Sequence, residues 1–398
     1  MAKIAILGFG VVGSGAAEVL THNLELIEKR IGQELTIKYI LDLRDFPDSP
    51  FGHLVIHDFN TIVEDPEVSI VAEMMGGSHP AFEFSMACLK AGKSVVTSNK
   101  EVVANFGTEL LKTAKQMGVR YLFEASVGGG IPVIRPIVND LAANSIRSVS
   151  GILNGTTNYI LTQMEASGAD FVDALKDAQK KGYAEADPTA DVEGIDAARK
   201  IVILAALAFG KLLDPNKIYA EGITKISRSD MKIARTLGYT VKLIAHSEKI
   251  DGKILAMVTP RLVPASNPLH SVSDVFNGVM LDTDMLGQAM FYGRGAGKLP
   301  TASAVVADII DIAKSPEYDK SFPCLVTAEE DEIASLSEYS CPWLFVLDEK
   351  TDLPVTIKKS AVVDGKYAVI TENILETEMQ AFRATLGENL ISAIRIFE

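Results

Sequence analysis

Two arrangements of hydrophobic and polar residues follow one another along this chain, and the change lies near Ile134. Before it, apolar runs of strand length alternate with segments whose apolar residues recur at helical spacing. Lys3–Leu7 is the first such run, and Ser14–Arg30 follows it as an amphipathic helix. Strands alternating with helices predict a parallel, doubly wound sheet. Its further predicted elements are strands Thr36–Leu41, Ile70–Met74, Ser94–Thr97 and Arg120–Glu124 and helices Ala81–Ala91 and Glu101–Gln116.

From about Ile134 the pattern predicts an α+β region with an open mixed sheet and helices on one face. The predicted strands are Ile146–Leu153, Ile223–Ile226, Val241–Ala245 and Lys253–Val263. The predicted helices are Tyr159–Ala166, Phe171–Lys181, Gly194–Phe209, Ser229–Leu237 and, later in the chain, Thr301–Ile312.

A polar linker, Lys314–Pro323, precedes a tail of about 75 residues, a size at which a small α/β appendage folds marginally. The elements predicted there are strands Leu344–Leu347, Val355–Lys358 and Tyr367–Thr371, helix Glu376–Leu386 and strand Ile391–Phe397.

Charge and composition exclude several classes of protein. The chain of 398 residues carries a formal charge of −14, which argues against binding to nucleic acid or to an anionic membrane. Cys88, Cys324 and Cys341 are too few and too widely spaced for a disulfide framework or a metal site. The N-terminus lacks the features of a signal peptide, and the apolar run Ile201–Phe209 is too short to cross a bilayer. We therefore expect a cytoplasmic protein.

Gly8-x-Gly10-x-x-Gly13 directly follows the first strand and opens a helix, which is the context of a Rossmann-type dinucleotide site. Asp42, at the end of the second strand, would favour the ribose hydroxyls of NAD, whereas Arg44 would hold the 2′-phosphate of NADP. The sequence leaves both cofactors open.

Three later turns carry candidate chemistry. Lys100 follows a strand end, where ligands of a doubly wound sheet bind. The glycine-rich turn 124–131 has carbonyl groups beside Glu124 and suits either a hard cation or a domain hinge. The turn 154–159 has Thr157 or Asn158 as a helix cap and donors for a carboxylate ligand. The glycines of 293–297 form a second candidate backbone approach to the cofactor.

The segment 182–200 combines a polar loop with the start of an apolar helix. The loop carries Glu185, Asp187 and Asp191, and the helix places Asp196 and Lys200 on one face, four residues apart. A buried acid–lysine pair is a candidate for proton transfer, while a plain helix ion pair is an equally good interpretation of this segment alone.

Together the motifs resemble the homoserine dehydrogenase family over residues 1–313. The matching segments are GFGVVG (8–13), TSNK (97–100), EASVGGGIP (124–132), NGTTNYI (154–160), GYAEADPTADVEGIDAARK (182–200), EGITKIS (221–227), LGYTVKLIA (237–245) and YGRGAGKLPTASAVVADI (292–309). The resemblance implies reversible NAD(P)-dependent reduction of L-aspartate 4-semialdehyde to L-homoserine in threonine and methionine biosynthesis, by a homodimer.

The resemblance also implies a role for each site residue. Lys200 would donate the proton, Lys100 would contact the reacting oxygen and Asp196 would orient Lys200. Substrate would bind Glu185, Asp191, Tyr183, Thr156 and Gly155. Cofactor would bind Gly8, Phe9, Gly10, Val11, Val12, Gly13, Ser98, Lys100 and Gly295. A structural sodium ion would be held by the Glu124 side chain and the carbonyls of Val127, Gly129 and Ile131.

The implied domains are a nucleotide-binding domain (1–133 with 292–313), a substrate-binding and dimerisation domain (134–291) and a small C-terminal domain (320–398). Many family members carry a regulatory ACT domain there, of βαββαβ order. Here the tail is closer to αβββαβ, and Asp352-Leu-Pro-Val lacks the family's turn glycine, so the tail is a degenerate ACT-like module at most.

Two other functions stay open: a dinucleotide sensor without turnover, and a dehydrogenase of another amino-acid aldehyde. A pure sensor would not need the intact set of Lys100, Glu185, Asp191, Asp196 and Lys200.

Overall fold

The computed structural model describes residues 1–317, 322–323 and 325–398 and divides into two compact units. The first unit comprises Met1–Ser145, Val202–Asp214 and Gly293–Thr327. The second comprises Ile146–Ile201, Pro215–Tyr292 and Ala328–Glu398. The predicted linker Lys314–Pro323 lies partly outside the described residues, as does Cys324.

The strands are numbered in chain order. They are β1 (Ala2–Leu7), β2 (Leu35–Leu41), β3 (Val55–Ile56), β4 (Val68–Glu73), β5 (Ser94–Thr97), β6 (Tyr121–Leu122), β7 (Ile146–Ile152), β8 (Lys211–Leu212), β9 (Tyr219–Ala220), β10 (Tyr239–Ile250), β11 (Lys253–Pro264), β12 (Phe276–Thr283), β13 (Gln288–Arg294), β14 (Val326–Thr327), β15 (Ser340–Cys341), β16 (Trp343–Leu347), β17 (Ile357–Val363), β18 (Lys366–Thr371), β19 (Ile374–Leu375) and β20 (Leu390–Ile396).

The α-helices follow the same order. They are α1 (Val11–His22), α2 (Leu24–Ile31), α3 (Asn60–Glu64), α4 (Ala81–Lys90), α5 (Lys100–Met117), α6 (Gly155–Ser167), α7 (Phe171–Lys180), α8 (Thr189–Val192), α9 (Ile195–Phe209), α10 (Arg228–Leu237), α11 (Lys298–Lys314) and α12 (Glu376–Leu386).

The first unit contains the parallel, doubly wound sheet that the sequence predicts. Its strand order is β3-β2-β1-β4-β5-β6, and the neighbouring strands pair in parallel. The central strand β1 is buried on both faces, and α1 and α11 pack in the apolar core beside it. The predicted helix Ser14–Arg30 is in fact two, because the chain leaves helical geometry at Asn23.

The second unit is built on a mixed sheet with the order β13-β12-β7-β10-β11-β20-β16-β18-β17. The sequence missed β12 and β13. The predicted strand Ile223–Ile226 is wrong, because these residues form a turn before α10. Both isoleucines are buried, so apolar side chains alone did not distinguish a buried turn from a strand.

The C-terminal residues continue the sheet of the second unit. β20 pairs in parallel with β11, joining Arg261 to Arg395 and Leu262 to Ile396, and β16, β18 and β17 follow it by antiparallel pairing. The order β16-β17-β18-α12-β20 agrees with the predicted elements of the tail. The chain divides into two compact units, whereas the prediction has three domains. The tail groups with the second unit, where backbone hydrogen bonds join β20 to β11.

In the described part of the chain, no helix is long and apolar enough to cross a membrane.

Candidate active site

The turn between β1 and α1 is built around glycine. Gly8 has a φ of +86°, and a side chain there would come within 2.9 Å of the carbonyl oxygen of Met74. A side chain at Gly13 would meet the carbonyl oxygen of Gly8 at 2.0 Å. The turn therefore requires glycine at both positions.

The N-terminus of α1 opens directly after this turn. Gly10 is the cap residue, and among the described residues no atom lies within 4 Å of where its side chain would start. Val11 is exposed, Val12 is half-buried and Phe9 is buried. The first N–H groups of a helix have no partner within the helix, so they and the positive end of the helix dipole suit a bound anion such as a pyrophosphate.

A cavity of about 460 Å³ lies beside the glycine turn within the first unit. Its volume is in the range of small-molecule sites. The residues that line it come from the carboxyl ends of β1, β2 and β4 and the segments after them, and they are Gly8, Gly10, Leu41, Asp42, Leu43, Arg44, His57, Phe59, Met74, Met75, Gly76, Pro80 and Phe84.

Asp42 directly follows β2 and is held by the glycine turn. Its Oδ2 accepts a hydrogen bond from the N–H of Phe9 at 2.8 Å, and its Oδ1 accepts one from the N–H of Arg44 at 3.0 Å. Burial by itself raises the pKa of Asp42, but the hydrogen bonds from the Arg44 side chain and these two N–H groups lower it to about 2. Asp42 is therefore ionised at neutral pH.

Arg44 contacts the carboxylate of Asp42, and His57 contacts its main-chain carbonyl. Arg44 donates from Nε and Nη2 to Asp42 at 3.0 and 3.2 Å, and its guanidinium lies over the ring of Phe46. His57 Nδ1 is 2.7 Å from the carbonyl oxygen of Asp42, a hydrogen bond that raises the pKa of His57. His57 also lines the cavity.

A buried carboxylate that the sequence did not single out ties the ends of β4 and β5 together. Glu73 accepts hydrogen bonds from the hydroxyl of Thr97 at 2.6 Å and the N–H of Met75 at 2.7 Å. Thr97 Oγ1 in turn accepts from the N–H of Asn99 at 2.8 Å. Complete burial raises the pKa of Glu73. Glu73 is a single acidic residue at the end of a strand, so the sequence pattern did not indicate that it is buried and hydrogen-bonded.

Lys100 is the first residue of α5. Asn99 caps this helix, because its Oδ1 accepts the N–H of Val102 at 3.2 Å while its Nδ2 donates to the carbonyl of Gly77 at 2.7 Å. Ser98 and Lys100 are both half-buried. The network around Asn99 thus fixes where the side chain of Lys100 starts, at the carboxyl end of β5.

The glycine-rich segment after β6 is anchored by Glu124. Its Oε1 accepts the N–H groups of Val133 and Ile134 at 2.6 and 2.8 Å, and its Oε2 accepts that of Arg135 at 2.8 Å. The N–H of Glu124 itself donates to Asp308 at 2.9 Å. The buried carboxylate is committed to main-chain amides.

The predicted sodium site stays a prediction. The Glu124 carboxylate accepts three N–H groups, and an ionised carboxylate has about four acceptor sites, so one is left for a cation. The carbonyl oxygens of Val127, Gly129 and Ile131 remain candidates. A side chain at Gly129 would meet the carbonyl oxygen of Gly295 at 2.3 Å, so the two glycine-rich segments are in contact within the first unit.

In the second unit, Lys200 lies one helical turn after Asp196 on α9, as the spacing predicts. Its Nζ donates to Asp196 Oδ2 at 2.7 Å and to the carbonyl oxygen of Leu153 at 2.7 Å. Both residues are buried, with 8% and 6% of their surface exposed. Because desolvating two charges is costly, such a pair needs the extra acceptor that Leu153 provides.

The turn after β7 differs from its prediction. The helix cap is Asn154, not Thr157 or Asn158, because α6 already begins at Gly155 and Asn154 Oδ1 accepts the N–H of Thr157 at 2.9 Å. Asn is among the preferred cap residues, a signal that the sequence did contain. A side chain at Gly155 would meet the carbonyl oxygen of Val275 at 2.8 Å.

Asn154 also reaches the two carboxylates that follow the loop. Its Nδ2 donates to Asp191 Oδ1 at 2.7 Å and to Asp196 Oδ2 at 2.9 Å. Burial raises the pKa of Asp191; the hydrogen bond from Asn154 lowers it, and the nearby charge of Asp196 adds to the increase. The structure thus brings Asp191, Asp196 and Lys200 together around one amide.

The loop before α8 is anchored through its main chain. Thr156 Oγ1 donates to the carbonyl oxygen of Tyr183 at 2.7 Å, and Gln179 Nε2 donates to that of Glu185 at 3.1 Å. The side chains of Tyr183, Glu185 and Asp187 are exposed, and Asp187 Oδ1 accepts hydrogen bonds from the N–H and hydroxyl of Thr189. Tyr183 and Glu185 are thus available to a ligand.

The first unit therefore offers an anion cradle with an acidic group at the end of β2. The second offers a buried ammonium that can exchange a proton and carboxylates that can hold a cation. No serine or cysteine nucleophile is needed if a bound redox cofactor carries the chemistry.

Two family models match the chain. The model described as homoserine dehydrogenase, NAD binding domain, matches residues 8–124, and that described as homoserine dehydrogenase matches residues 132–310. The homoserine dehydrogenase of Synechocystis is 40% identical over 398 residues, which cover 94% of this chain and 89% of that protein. That of Neisseria gonorrhoeae is 45% identical over 323 residues, covering 80% and 73%.

Solved structures agree with these matches. A homoserine dehydrogenase from Thiobacillus denitrificans superimposes with a TM-score of 0.90 and 34% identity, covering 100% of this chain and 98% of that one. A hyperthermophilic archaeal homoserine dehydrogenase in complex with NADPH has a TM-score of 0.67 and 30% identity over 80% of this chain and 99% of that one. The resemblance seen in the motifs is confirmed.

Proposed function

The chain belongs to the homoserine dehydrogenase family and is an oxidoreductase, and from this premise we propose how its residues carry the reaction. The substrate pair is L-homoserine and L-aspartate 4-semialdehyde, and a bound nicotinamide supplies or accepts the hydride. The observation that carries the proposal is the buried pair of Lys200 and Asp196, with Nζ and Oδ2 at 2.7 Å.

Lys200 handles the proton of the reaction. When the aldehyde is reduced, negative charge develops on its oxygen, and the Lys200 ammonium delivers the proton that completes the alcohol. In the reverse direction the neutral amine takes the hydroxyl proton. Asp196 and the carbonyl of Leu153 hold the Nζ in one orientation.

The substrate's ammonium group is bound by carboxylates of the second unit. Glu185 is exposed on a loop whose carbonyl is fixed by Gln179, and Asp191 is oriented by Asn154. An opposite charge held at short range is the simplest way to orient an amino acid by its α-amino group. Tyr183, Thr156 and Gly155 are proposed to line the same site.

The first unit binds the cofactor. The pyrophosphate lies at Gly8–Gly13, and Ser98, Lys100 and Gly295 contact the cofactor. Lys100 also contacts the reacting oxygen, whose charge it stabilises. Sodium, when bound, is held by the carbonyl oxygens of Val127, Gly129 and Ile131 together with the Glu124 carboxylate. These assignments are supported by the motif resemblance and by the rigid glycine turns.

NAD is the preferred cofactor. Asp42 is ionised and fixed by the N–H of Phe9, so it is ready to accept the ribose hydroxyls of NAD, and its charge opposes a 2′-phosphate. Arg44 is engaged by Asp42 but its side chain is exposed, so NADP is tolerated at lower efficiency.

The test is turnover of L-homoserine with NAD⁺ and with NADP⁺ separately, followed by absorbance of the reduced cofactor. We expect kcat/KM to be about tenfold or more higher with NAD⁺, a difference of about 1.4 kcal/mol. Cofactor binding without turnover on either cofactor would favour a sensor, and faster turnover of another amino-acid aldehyde would favour a related dehydrogenase.

Two variants separate the contributions to cofactor choice. Arg44→Gln is expected to remove the remaining NADP⁺ activity and to leave that with NAD⁺ within about twofold, because the ribose acceptor is intact. Asp42→Ala is expected to abolish the NAD⁺ advantage. An unchanged preference in both variants would contradict the assignment.

Membership of the family also leads us to propose an oligomeric state, a pathway and a role for the tail. The enzyme is a homodimer, which size-exclusion chromatography with light scattering can check. It acts in threonine and methionine biosynthesis. The tail is a degenerate ACT-like module, whose binding of threonine is testable by calorimetry at millimolar concentration.

A further inference from the structure

The side chain of Asn154 is at the centre of the second unit's polar cluster. It is buried, with 5% of the residue exposed. Its two amide hydrogens go to Asp191 at 2.7 Å and Asp196 at 2.9 Å, and its oxygen accepts the N–H of Thr157 at 2.9 Å. The hydroxyl of Thr157 lies 3.1 Å from both the side-chain and the main-chain oxygen of Asn154.

The orientation of this amide is fixed by its partners. The N–H of Thr157 can only donate, so it must face the oxygen of Asn154. The two carboxylates accept when ionised, so they must face the NH₂ group. An amide therefore satisfies both sides, whereas an ionised carboxylate would leave the two acids without donors and a hydroxyl has only one hydrogen to donate.

Asn154 and Lys200 bind the same oxygen atom. Both donate to Asp196 Oδ2, at 2.9 and 2.7 Å. The hydrogen bond from Asn154 withdraws negative charge from Asp196 Oδ2, so this oxygen attracts the Lys200 proton less strongly. The second hydrogen of the Asn154 amide is donated to Asp191. A change in the hydrogen bonding of Asp191 can therefore reach Asp196 through this one planar amide group.

The main chain beside Asn154 reinforces this arrangement. β7 ends at Ile152 and α6 begins at Gly155, so two residues lie between rigid elements. Leu153 gives its carbonyl to Lys200 and Asn154 gives its amide to Asp196. The strand end thus holds both members of the ion pair from one side.

We propose that Asn154 is a positioning residue that links the ammonium-binding carboxylate Asp191 to the proton-transfer pair Asp196 and Lys200. This rests on the proposed function and deepens it. Asn154 shields two like charges from each other and sets how readily Lys200 releases its proton once the substrate's ammonium occupies Asp191.

A purely structural role would be that of a helix cap, and substitution separates the two. Capping uses only the oxygen of Asn154, and Ser and Asp are equally good caps. Asn154→Ser therefore keeps the cap and removes the donors. Asn154→Asp keeps the cap and turns a third negative oxygen toward the carboxylates. Asp170→Ser is the matched control, because Asp170 caps α7 in the same unit through the N–H of Asp173.

The expected kinetic result is a pH-dependent loss. Asn154→Ser should retain the melting temperature of the control and lose about tenfold or more in kcat, with a raised KM for homoserine. Asn154→Asp should lose more at neutral pH and recover part of its kcat as the pH falls, because a protonated carboxyl donates one hydrogen bond. Unchanged kcat, KM and pH profile in both variants, with an active wild-type enzyme, would overturn the proposal.

A second readout does not need turnover. The titration midpoint of Asp191, followed by ¹³C NMR of aspartate-labelled protein and assigned with Asp191→Asn, should rise in Asn154→Ser, because the lost hydrogen bond favoured the ionised form. An unchanged midpoint overturns the link even if the wild-type protein proves inactive on homoserine. If the wild-type protein is inactive on homoserine but the Asp191 midpoint rises in Asn154→Ser, the proposed function is wrong and the link between Asn154 and Asp191 is supported.

Discussion

The two units hold their functional groups by different means. In the first unit the candidate cradle is main chain, shaped by glycines whose side chains would collide with carbonyl oxygens at 2.0 to 2.9 Å. In the second unit the groups are charged side chains that hold each other, as Asn154 holds Asp191 and Asp196. A main-chain site is therefore visible in the sequence as glycine spacing, while a side-chain network is visible only once the chain is folded.

The difference also predicts how each site fails. A main-chain cradle fails when added atoms displace its backbone or crowd the ligand that it holds. A side-chain network loses its chemistry when one polar group is removed, while the backbone around it stays in place.

The largest effect is expected from Lys200→Ala in the second unit. Removing the proton donor should lower kcat by about 10²- to 10⁴-fold, the usual contribution of general acid–base catalysis, with a smaller change in KM. Steady-state kinetics with L-homoserine gives both parameters, and Lys176→Ala, an exposed lysine of α7, is the control.

A loss below about tenfold, or about 1.4 kcal/mol, would show that Lys200 is not the proton donor. Because Asp196 would be left buried without its cation, the melting temperature of Lys200→Ala must be measured beside its kinetics.

The cradle of the first unit is tested by a pair of glycines. Gly13→Ala should disrupt the turn, because its side chain would lie 2.0 Å from the carbonyl oxygen of Gly8. Gly10→Ala meets no described atom within 4 Å, so the protein should fold and bind NAD⁺ about tenfold more weakly, since the added methyl crowds the pyrophosphate. Melting temperature and fluorescence titration with NADH separate the two outcomes.

Equal melting temperatures for the two variants would argue against a turn shaped by Gly13. Wild-type affinity in Gly10→Ala would place the pyrophosphate elsewhere.

The last prediction concerns Lys242, a buried lysine of the second unit with neutral hydrogen-bond partners. Its Nζ donates to the carbonyl oxygen of Val272 at 2.6 Å, and burial lowers its pKa to about 8. Between pH 8 and the usual lysine value of about 10.4, the unfolded chain binds more protons than the folded one. The free energy of unfolding should therefore gain up to about 3 kcal/mol from this group as the pH rises through that window.

Urea unfolding of the wild type and Lys242→Met at pH 7 to 10 measures this contribution. The difference in free energy between the two proteins should change with pH in favour of the wild type. Parallel curves would show that Lys242 does not titrate in this range.

Much of the architecture is predictable from local pattern. The bounds of β5 and the end of α9 agree with their predictions to the residue, because an apolar strand and a buried helix leave strong periodic signals. The edge strand β13 and its neighbour β12 were missed. Ile223–Ile226 is wrongly predicted as a strand because a buried turn also carries apolar side chains. The predicted caps Thr157 and Asn158 are wrong, and Asn154 is the cap. All three residue types suit a helix start, so the local pattern did not single out Asn154.

The glycine turn, the four-residue spacing of Asp196 and Lys200 and the family are all readable from the chain before it folds, because each rests on short local motifs. The folded chain was needed to show that the Glu124 carboxylate anchors main-chain amides and that Asn154 lies between Asp191 and Asp196. Folding selects the hydrogen-bond partners of a buried polar side chain across 9 to 42 residues in these cases, and no local period records that selection.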